Sequence, residues 1–285
     1  MTEDAQNKTK RMMIMFFVLA YVIIWVVLLP ILVFPQRADQ LDFLLTIAAY
    51  APFLAAVITT LVYEGRAGLW TWLKSVFKWR IPIIWYLIGG VLINFLFVAL
   101  HIGLYILLGG HIVLAGGEPP WYSYLITFPI IVLVNFPFGS GLGEEAGWRG
   151  FALPKLLERY SPAVASIILG VLWGLWHIPA LLMSSWEGSA QGLLLFVYAI
   201  PLSIIMTWVY LKSRRSAIPL MLMHTGGNIY GSMLSASLVM ETVLVDSPGL
   251  DFTILKTIYY TAVAVVLLIV TKGRLGYSGK DEAIP

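Results

Sequence analysis

Apolar residues in this chain come in long blocks rather than alternating with polar ones, and each block is about as long as a membrane-crossing helix. Such a helix needs about 20 apolar residues to span roughly 30 Å of hydrocarbon. Blocks of that kind cover Met12–Phe34, Phe43–Tyr63, Ile81–Leu108 and Trp121–Gly143. Four more cover Pro162–Trp186, Ser189–Leu211, Ser216–Met240 and Phe252–Thr271. The pattern predicts an all-α fold, a polytopic bundle of about eight transmembrane helices. No internal repeat breaks it up. One membrane domain, residues 12–271, is expected between short tails at 1–11 and 272–285. The first block is too long for a signal-peptide core and has no small-residue cleavage site, so it reads as an uncleaved span.

Composition agrees with the pattern. Of 285 residues, 60% are hydrophobic and 12% charged, and the mean hydropathy is +0.87. Soluble domains carry about 25% charged residues because water must be met by a solvated surface. Half that amount implies a surface turned mainly toward lipid. The absence of cysteine excludes disulfides, thiolate metal sites and cysteine nucleophiles. Nothing in the chain suggests a nucleic-acid partner, and the oligomeric state has no sequence signal.

The distribution of charge sets an orientation, because cytoplasmic loops hold the excess of Lys and Arg. With the N-terminus inside, the inner segments collect Lys8, Lys10, Arg11, Arg66, Lys74, Lys78 and Arg80. After the fourth and sixth spans come Arg149, Lys155, Arg159, Lys212, Arg214 and Arg215; the tail adds Lys272, Arg274 and Lys280. That places 16 of the 18 basic residues inside and leaves Arg37 and Lys256 outside. The outer loops hold Asp39, Asp42, Glu118, Glu187, Glu241, Asp246 and Asp251. Both termini are therefore expected in the cytoplasm. The stretch Gly65–Arg80 mixes Trp70, Trp72, Leu73, Val76 and Phe77 with Arg66, Lys74, Lys78 and Arg80. It reads as an interfacial helix on an anionic leaflet, or as an ordinary basic loop.

Ionisable groups at membrane depth are costly, which makes them candidates for function. Three clusters qualify. The first is Glu144-Glu145-x-x-x-Arg149, preceded by the glycine-rich run 139–143. The second is Trp173-x-x-x-His177, and the third His224-x-x-x-Asn228. Glu145 and Arg149 are spaced i and i+4 and share a helix face, whereas Glu144 points about 100° away. His224 and Asn228 share a face in the same way. If the segments on either side of Tyr160-Ser161 form a hairpin, Glu144 and His177 lie level, unless Pro154 breaks it. Each cluster alone has a plainer explanation. Glu145 with Arg149 serves as a neutralised pair, His177 as a buried imidazole satisfied by a carbonyl, and His224 with Asn228 as interhelical glue. His101 and His111 have no such companions. Together, two acids, an arginine, two histidines and an asparagine exceed what packing needs. The set suits hydrolysis: a carboxylate near a histidine can deprotonate water, and donors nearby can hold an oxyanion. There is no H-E-x-x-H helix, but two histidines and a glutamate are also ordinary zinc ligands.

At these residues the chain resembles the CPBP family of intramembrane proteases, which includes CAAX prenyl endopeptidases and bacteriocin-processing or self-immunity proteins. The likeness covers residues 143 to about 230, with EEAGWRGFALP (144–154) particularly similar to bacterial members. It implies an eight-helix fold with a cavity opening toward the cytoplasm and a membrane-associated peptide or protein as substrate. By the resemblance, Glu144 and His177 activate water, His224 and Asn228 hold the oxyanion, and Glu145, Arg149 and Trp173 support them. Family members have been described both as metal-dependent and as glutamic proteases. A metal-free reading accounts for every motif residue here; zinc, if present, would fall to Glu144, His177 and His224. The rivals are a non-catalytic scaffold or regulator of the same fold, and a proton-coupled transporter, although no echo between the halves supports the latter.

The charge asymmetry generates a direct test. Reporter fusions after Arg11, Lys78, Arg215 and Lys280 should report cytoplasm, and fusions near Asp39 and Glu187 the opposite side. A cytoplasmic signal at Glu187 would refute the eight-span topology.

Overall fold

The computed structural model describes residues 3–41, 43–107, 123–182, 190–235 and 252–277. The residues Asp42, His111, Glu118, Glu187, Glu241, Asp246, Asp251 and Lys280 considered above lie outside them. The described residues form an all-helical membrane bundle. We number its principal helices α1 (Glu3–Val33), α2 (Ala51–Val76), α3 (Ile93–Leu107), α4 (Ser123–Asn135) and α5 (Ser140–Gly147). They continue as α6 (Pro162–Trp176), α7 (Ala190–Lys212), α8 (Ile218–Ser235) and α9 (Phe252–Val270). Helix α1 packs along α2, α2 on α5, α5 on α8, α6 along α7 and α7 along α9.

Helix α1 shows why this is a membrane bundle. Its buried residues are Met12, Phe16, Ala20, Ile24, Leu28 and Ile31, a single stripe at helical spacing. A soluble helix would be polar opposite that stripe. Here the outward positions are Ile14, Val18, Val22, Val26 and Leu29, all exposed and all apolar. Three stretches among the described residues are long and apolar enough to cross a membrane: Glu3–Val33, Phe43–Val76 and Ile83–Leu100. Shorter apolar helices cover Pro162–Trp176, Phe196–Lys212 and Ile254–Val270. The basic segments gather at one end. Lys8 meets Glu64 at 3.6 Å, Arg159 donates to the Gln6 carbonyl at 2.7 Å, and Lys78 donates to the Arg214 carbonyl at 3.3 Å.

The helices depart from the expected spans in three places, and in a fourth, at Gly65, the chain turns where the sequence expected the second span to end. Residues 3–11, expected as a tail, already belong to α1. Helix α2 turns at Gly65, whose φ of 66° and ψ of −167° suit only glycine. The turn makes 66–76 a separate helical arm, with Trp70 exposed and Trp72 and Val76 buried, as an interfacial helix requires. The expected span Trp121–Gly143 is interrupted: α4 ends at Asn135 and a new helix begins at Ser140. Helix α6 stops at Trp176, because Pro179 has no N–H to continue the ladder.

Helix α5 carries the first motif and is not broken by Pro154. It runs through a π turn, Trp148–Ala152, where Leu153 N–H bonds back to the Trp148 carbonyl, and on through Leu153–Leu157. Pro154 leaves the Gly150 carbonyl without its i+4 donor. The Trp72 indole of the α2 arm supplies one instead, Nε1–H to Gly150 O at 3.0 Å. Phe16 of α1 clamps the same turn, with its ring 5.4 Å from Trp148 and 4.9 Å from Phe151. Close approach of α5 to its neighbours needs glycine. A Cβ on Gly147 would lie 2.5 Å from Pro52, and one on Gly141 would lie 2.4 Å from the Met221 carbonyl of α8.

Gly147→Ala should therefore force α2 and α5 apart. Overpacking of this kind costs about 1–3 kcal/mol. Thermal unfolding of purified protein should show a lower midpoint for Gly147→Ala than for Gly103→Ala, because nothing lies within 4 Å of the added methyl at Gly103. Equal midpoints would contradict the packing role.

Candidate active site

The three motifs meet. Glu144 and Glu145 sit one turn inside α5, Trp173 and His177 at the end of α6, and His224 and Asn228 on one face of α8. The α5–α8 contact made possible by Gly141 carries Glu145 to His224. The turn at Arg159–Ser161, capped by the Ser161 hydroxyl accepting from Val164 N–H at 3.4 Å, folds α6 back beside α5.

Glu145 is fully buried, and so is Arg149. Their pairing, Arg149 Nη1 to Glu145 Oε1 at 2.9 Å, is the i, i+4 contact the spacing suggests. The guanidinium also stacks 4.5 Å over the Trp173 ring, a cation–π contact that gains strength away from water. The same Glu145 oxygen takes a second bond from His224, with Nδ1 2.7 Å away. An ionised carboxylate only accepts, so His224 Nδ1 carries the hydrogen here.

Glu144, 4% exposed, faces the other way. Its Oε2 accepts the Trp173 indole N–H at 2.7 Å. His177 Nε2 lies 3.9 Å from that oxygen, and His224 Nε2 lies 3.7 Å from Oε1. One carboxylate thus stands between two imidazoles. The tautomer of His177 follows from the helix end. His177 N–H bonds to the Gly174 carbonyl at 3.1 Å, and the Trp173 carbonyl accepts instead from the ring, Nδ1–H at 2.8 Å. In the neutral ring, Nε2 then presents its lone pair to Glu144. Trp176 backs this ring edge-on at 4.9 Å, and the Trp173 ring lies edge-on to both histidines.

These groups open on a cavity of about 840 Å³. Asn228 lines it, with its amide donating to the Ser140 hydroxyl at 2.5 Å. The structure therefore brings Glu144, Glu145, Arg149, Trp173, His177 and His224 into one cluster, with Asn228 on the adjoining wall. It also adds residues that the motifs did not mark: Ser140, Trp176, Tyr198, Lys256 and Tyr260. For Lys256 a signal existed, a lone cation four residues into an apolar run. Sequence reading counted it only as an outer-side charge within the span Phe252–Thr271; in the structure it belongs to the second turn of α9 and lines the cavity.

Among the described residues no group of three or more His, Asp or Glu side chains has the geometry of a preformed metal site. Two ligands of one tetrahedral zinc stand about 3.4 Å apart, whereas the Glu144 oxygens lie 3.9 and 3.7 Å from the nearest imidazole nitrogens.

The model of the family described as type II CAAX prenyl endopeptidase Rce1-like matches residues 125–230, the stretch that carries all three motifs. CAAX prenyl protease 2 of Methanococcus maripaludis is 31% identical over 199 residues, covering 66% of this chain and 68% of that protein. The fold, the three converging motifs and this relationship together place the chain in the Rce1-like CAAX prenyl endopeptidase family, within the CPBP membrane proteases.

Proposed function

We propose that this protein is a multi-pass intramembrane endopeptidase of the cell membrane, hydrolysing peptide bonds in membrane-associated peptides or proteins. Prenylated C-terminal segments are the substrate class that the names of its relatives suggest. The observation that carries the reading is the Glu144 carboxylate held between the Nε2 atoms of His177 and His224 at 3.9 and 3.7 Å.

The chemistry follows from the hydrogen-bond inventory. Glu144 Oε2 and His177 Nε2 are both acceptors, and about 4 Å is the separation of two acceptors that share the two hydrogens of one water. A water so held has its lone pairs directed into the cavity. Glu144 takes a proton as the water oxygen attacks the scissile carbonyl. The carbonyl oxygen becomes an oxyanion, received by His224 Nε2–H and the Asn228 amide. Collapse breaks the C–N bond, and the departing amine takes the proton back from the Glu144–His177 pair. For His224 to donate from Nε2 while Nδ1–H is bonded to Glu145, the ring must be imidazolium. With Glu144, Glu145 and Arg149 the four charges then sum to zero.

The contacts of both Nδ1 atoms would equally orient the rings toward a metal. Zinc bound by Glu144, His177 and His224 is therefore the competing reading, and there it would polarise the carbonyl or the water. The metal-free reading is preferred because a base, an oxyanion site and a supporting ion pair account for every motif residue.

Glu144→Gln removes the base but keeps the shape, and should abolish cleavage of a farnesylated C-terminal peptide without lowering the unfolding midpoint. His224→Ala should lower kcat about a hundredfold to a thousandfold, the usual loss for one oxyanion donor. Retention of cleavage by Glu144→Gln would remove Glu144 from the reaction.

Dialysis against a strong chelator should leave the rate intact. Stoichiometric zinc in the purified protein, with activity lost on chelation and restored by zinc, would establish the metal reading instead.

A further inference from the structure

One wall of the cavity carries a hydroxyl that the proposed reaction does not use. Ser140 is the first residue of α5. A serine at a helix start ordinarily caps the free N–H groups of the first turn. Here the cap position belongs to Gly139, and no side chain caps the helix. Hydroxyls further along a helix donate to the carbonyl four residues back. Ser166, Thr207 and Thr271 do so, to Pro162, Ser203 and Leu267 at 2.6, 2.8 and 2.6 Å. Ser140 begins its helix and has no turn of helix behind it to accept its proton. Among the described residues its one hydrogen bond is received, from the Asn228 amide at 2.5 Å. Its own O–H hydrogen is left to donate, and the residue lines the cavity.

Resting on the hydrolase reading above, we propose that Ser140 is a further catalytic residue, whose hydroxyl donates to the oxyanion and through which the Asn228 amide acts on it. Position supports the assignment. Ser140 and Glu144 are spaced i and i+4, share a face of α5 and line the same cavity. One turn, about 6 Å along the axis, separates the group that handles the water from a donor that can meet the carbonyl oxygen. The bond from Asn228 supplies the strength. A hydroxyl whose oxygen accepts a hydrogen bond is a better donor, because chains of hydrogen bonds polarise one another. Asn228 N–H, Ser140 O–H and the oxyanion form such a chain, and it tightens as negative charge develops. The same contact argues against Ser140 as a nucleophile. An attacking serine gives its proton to a base, whereas an amide N–H donating to Oγ draws electron density away from it.

The test compares a charged tetrahedral centre with a flat neutral one and needs no turnover. Two ligands are titrated against the Glu144→Gln protein: a farnesylated Cys-Val-Ile-Met peptide, and its analogue with a phosphinate in place of the Cys–Val amide. Adding Ser140→Ala should weaken the phosphinate about tenfold to a hundredfold, as expected for a hydrogen bond to a charged group. The affinity of the intact peptide should not change. Asn228→Ala should act in the same way, and the two together should cost no more than either alone, because both work through one donor. Ser140→Thr, which keeps the hydroxyl, should bind the phosphinate nearly as well as Ser140 does. Equal weakening of both ligands by Ser140→Ala, an unaffected phosphinate, losses that add in the double variant, or no binding of either ligand would overturn the proposal. If the affinities behave as stated but the wild-type protein does not cleave the peptide, the anion site stands and the hydrolase reading fails.

Discussion

Glu144 and Glu145 are adjacent buried carboxylates, where an uncompensated charge costs several kcal/mol, and the elements around them are placed so that each is compensated differently. On a helix, neighbouring side chains diverge by about 100°, so the two acids face different surroundings and only His224 reaches toward both, one ring nitrogen to each. Glu145 turns toward Arg149 and His224 and is neutralised by direct bonds of 2.9 and 2.7 Å. Glu144 turns toward the indole N–H of Trp173 and two imidazoles that stop short of direct contact. The first arrangement is closed and structural. The second leaves room for a water and a carbonyl.

The scaffold can be read outward from that requirement. Helix α8 must come close enough for His224 to reach Glu145, so α5 is stripped to glycine at position 141. Helix α2 must close over the other side, hence Gly147 against Pro52. His177 must aim one defined nitrogen at Glu144, and ending α6 at Trp176 frees the Trp173 carbonyl to fix its tautomer. Trp173 links both carboxylates, since its N–H holds Glu144 and its ring face carries Arg149. Buried pairs of this type add little net stability, because desolvation offsets attraction. Breaking one partner leaves the other charge stranded, so their value lies in specifying one geometry.

Much of this was legible from residue order alone, where local periodicity decides. The apolar blocks located the helices, i and i+4 spacing identified the Glu145–Arg149 pair, and counting from the turn at Tyr160-Ser161 placed Glu144 level with His177. What stayed hidden depends on contacts far apart in sequence. Pro154 suggested a break because the donor that rescues Gly150 is Trp72, 78 residues earlier. The π turn at Trp148–Ala152 and the interruption after Asn135 follow from packing against α1, α2 and α8, and periodicity cannot register them. The glycine run 139–143 was visible, but its purpose required knowing which helices approach. The place of Lys256 in the cavity wall was not visible because counting charges by side does not register its aromatic partners, Tyr198 on α7 and Tyr260 on α9.

The central claim is that Glu144 acts on a water and does not itself attack the peptide. Isotope tracing examines this directly. In a single turnover in H₂¹⁸O with a farnesylated C-terminal peptide, mass spectrometry of both product and protein follows the incoming oxygen. Base catalysis predicts one ¹⁸O in the newly formed carboxylate and none on Glu144. An unlabelled product together with ¹⁸O on Glu144 would mean attack by the carboxylate through an anhydride, and would contradict the account.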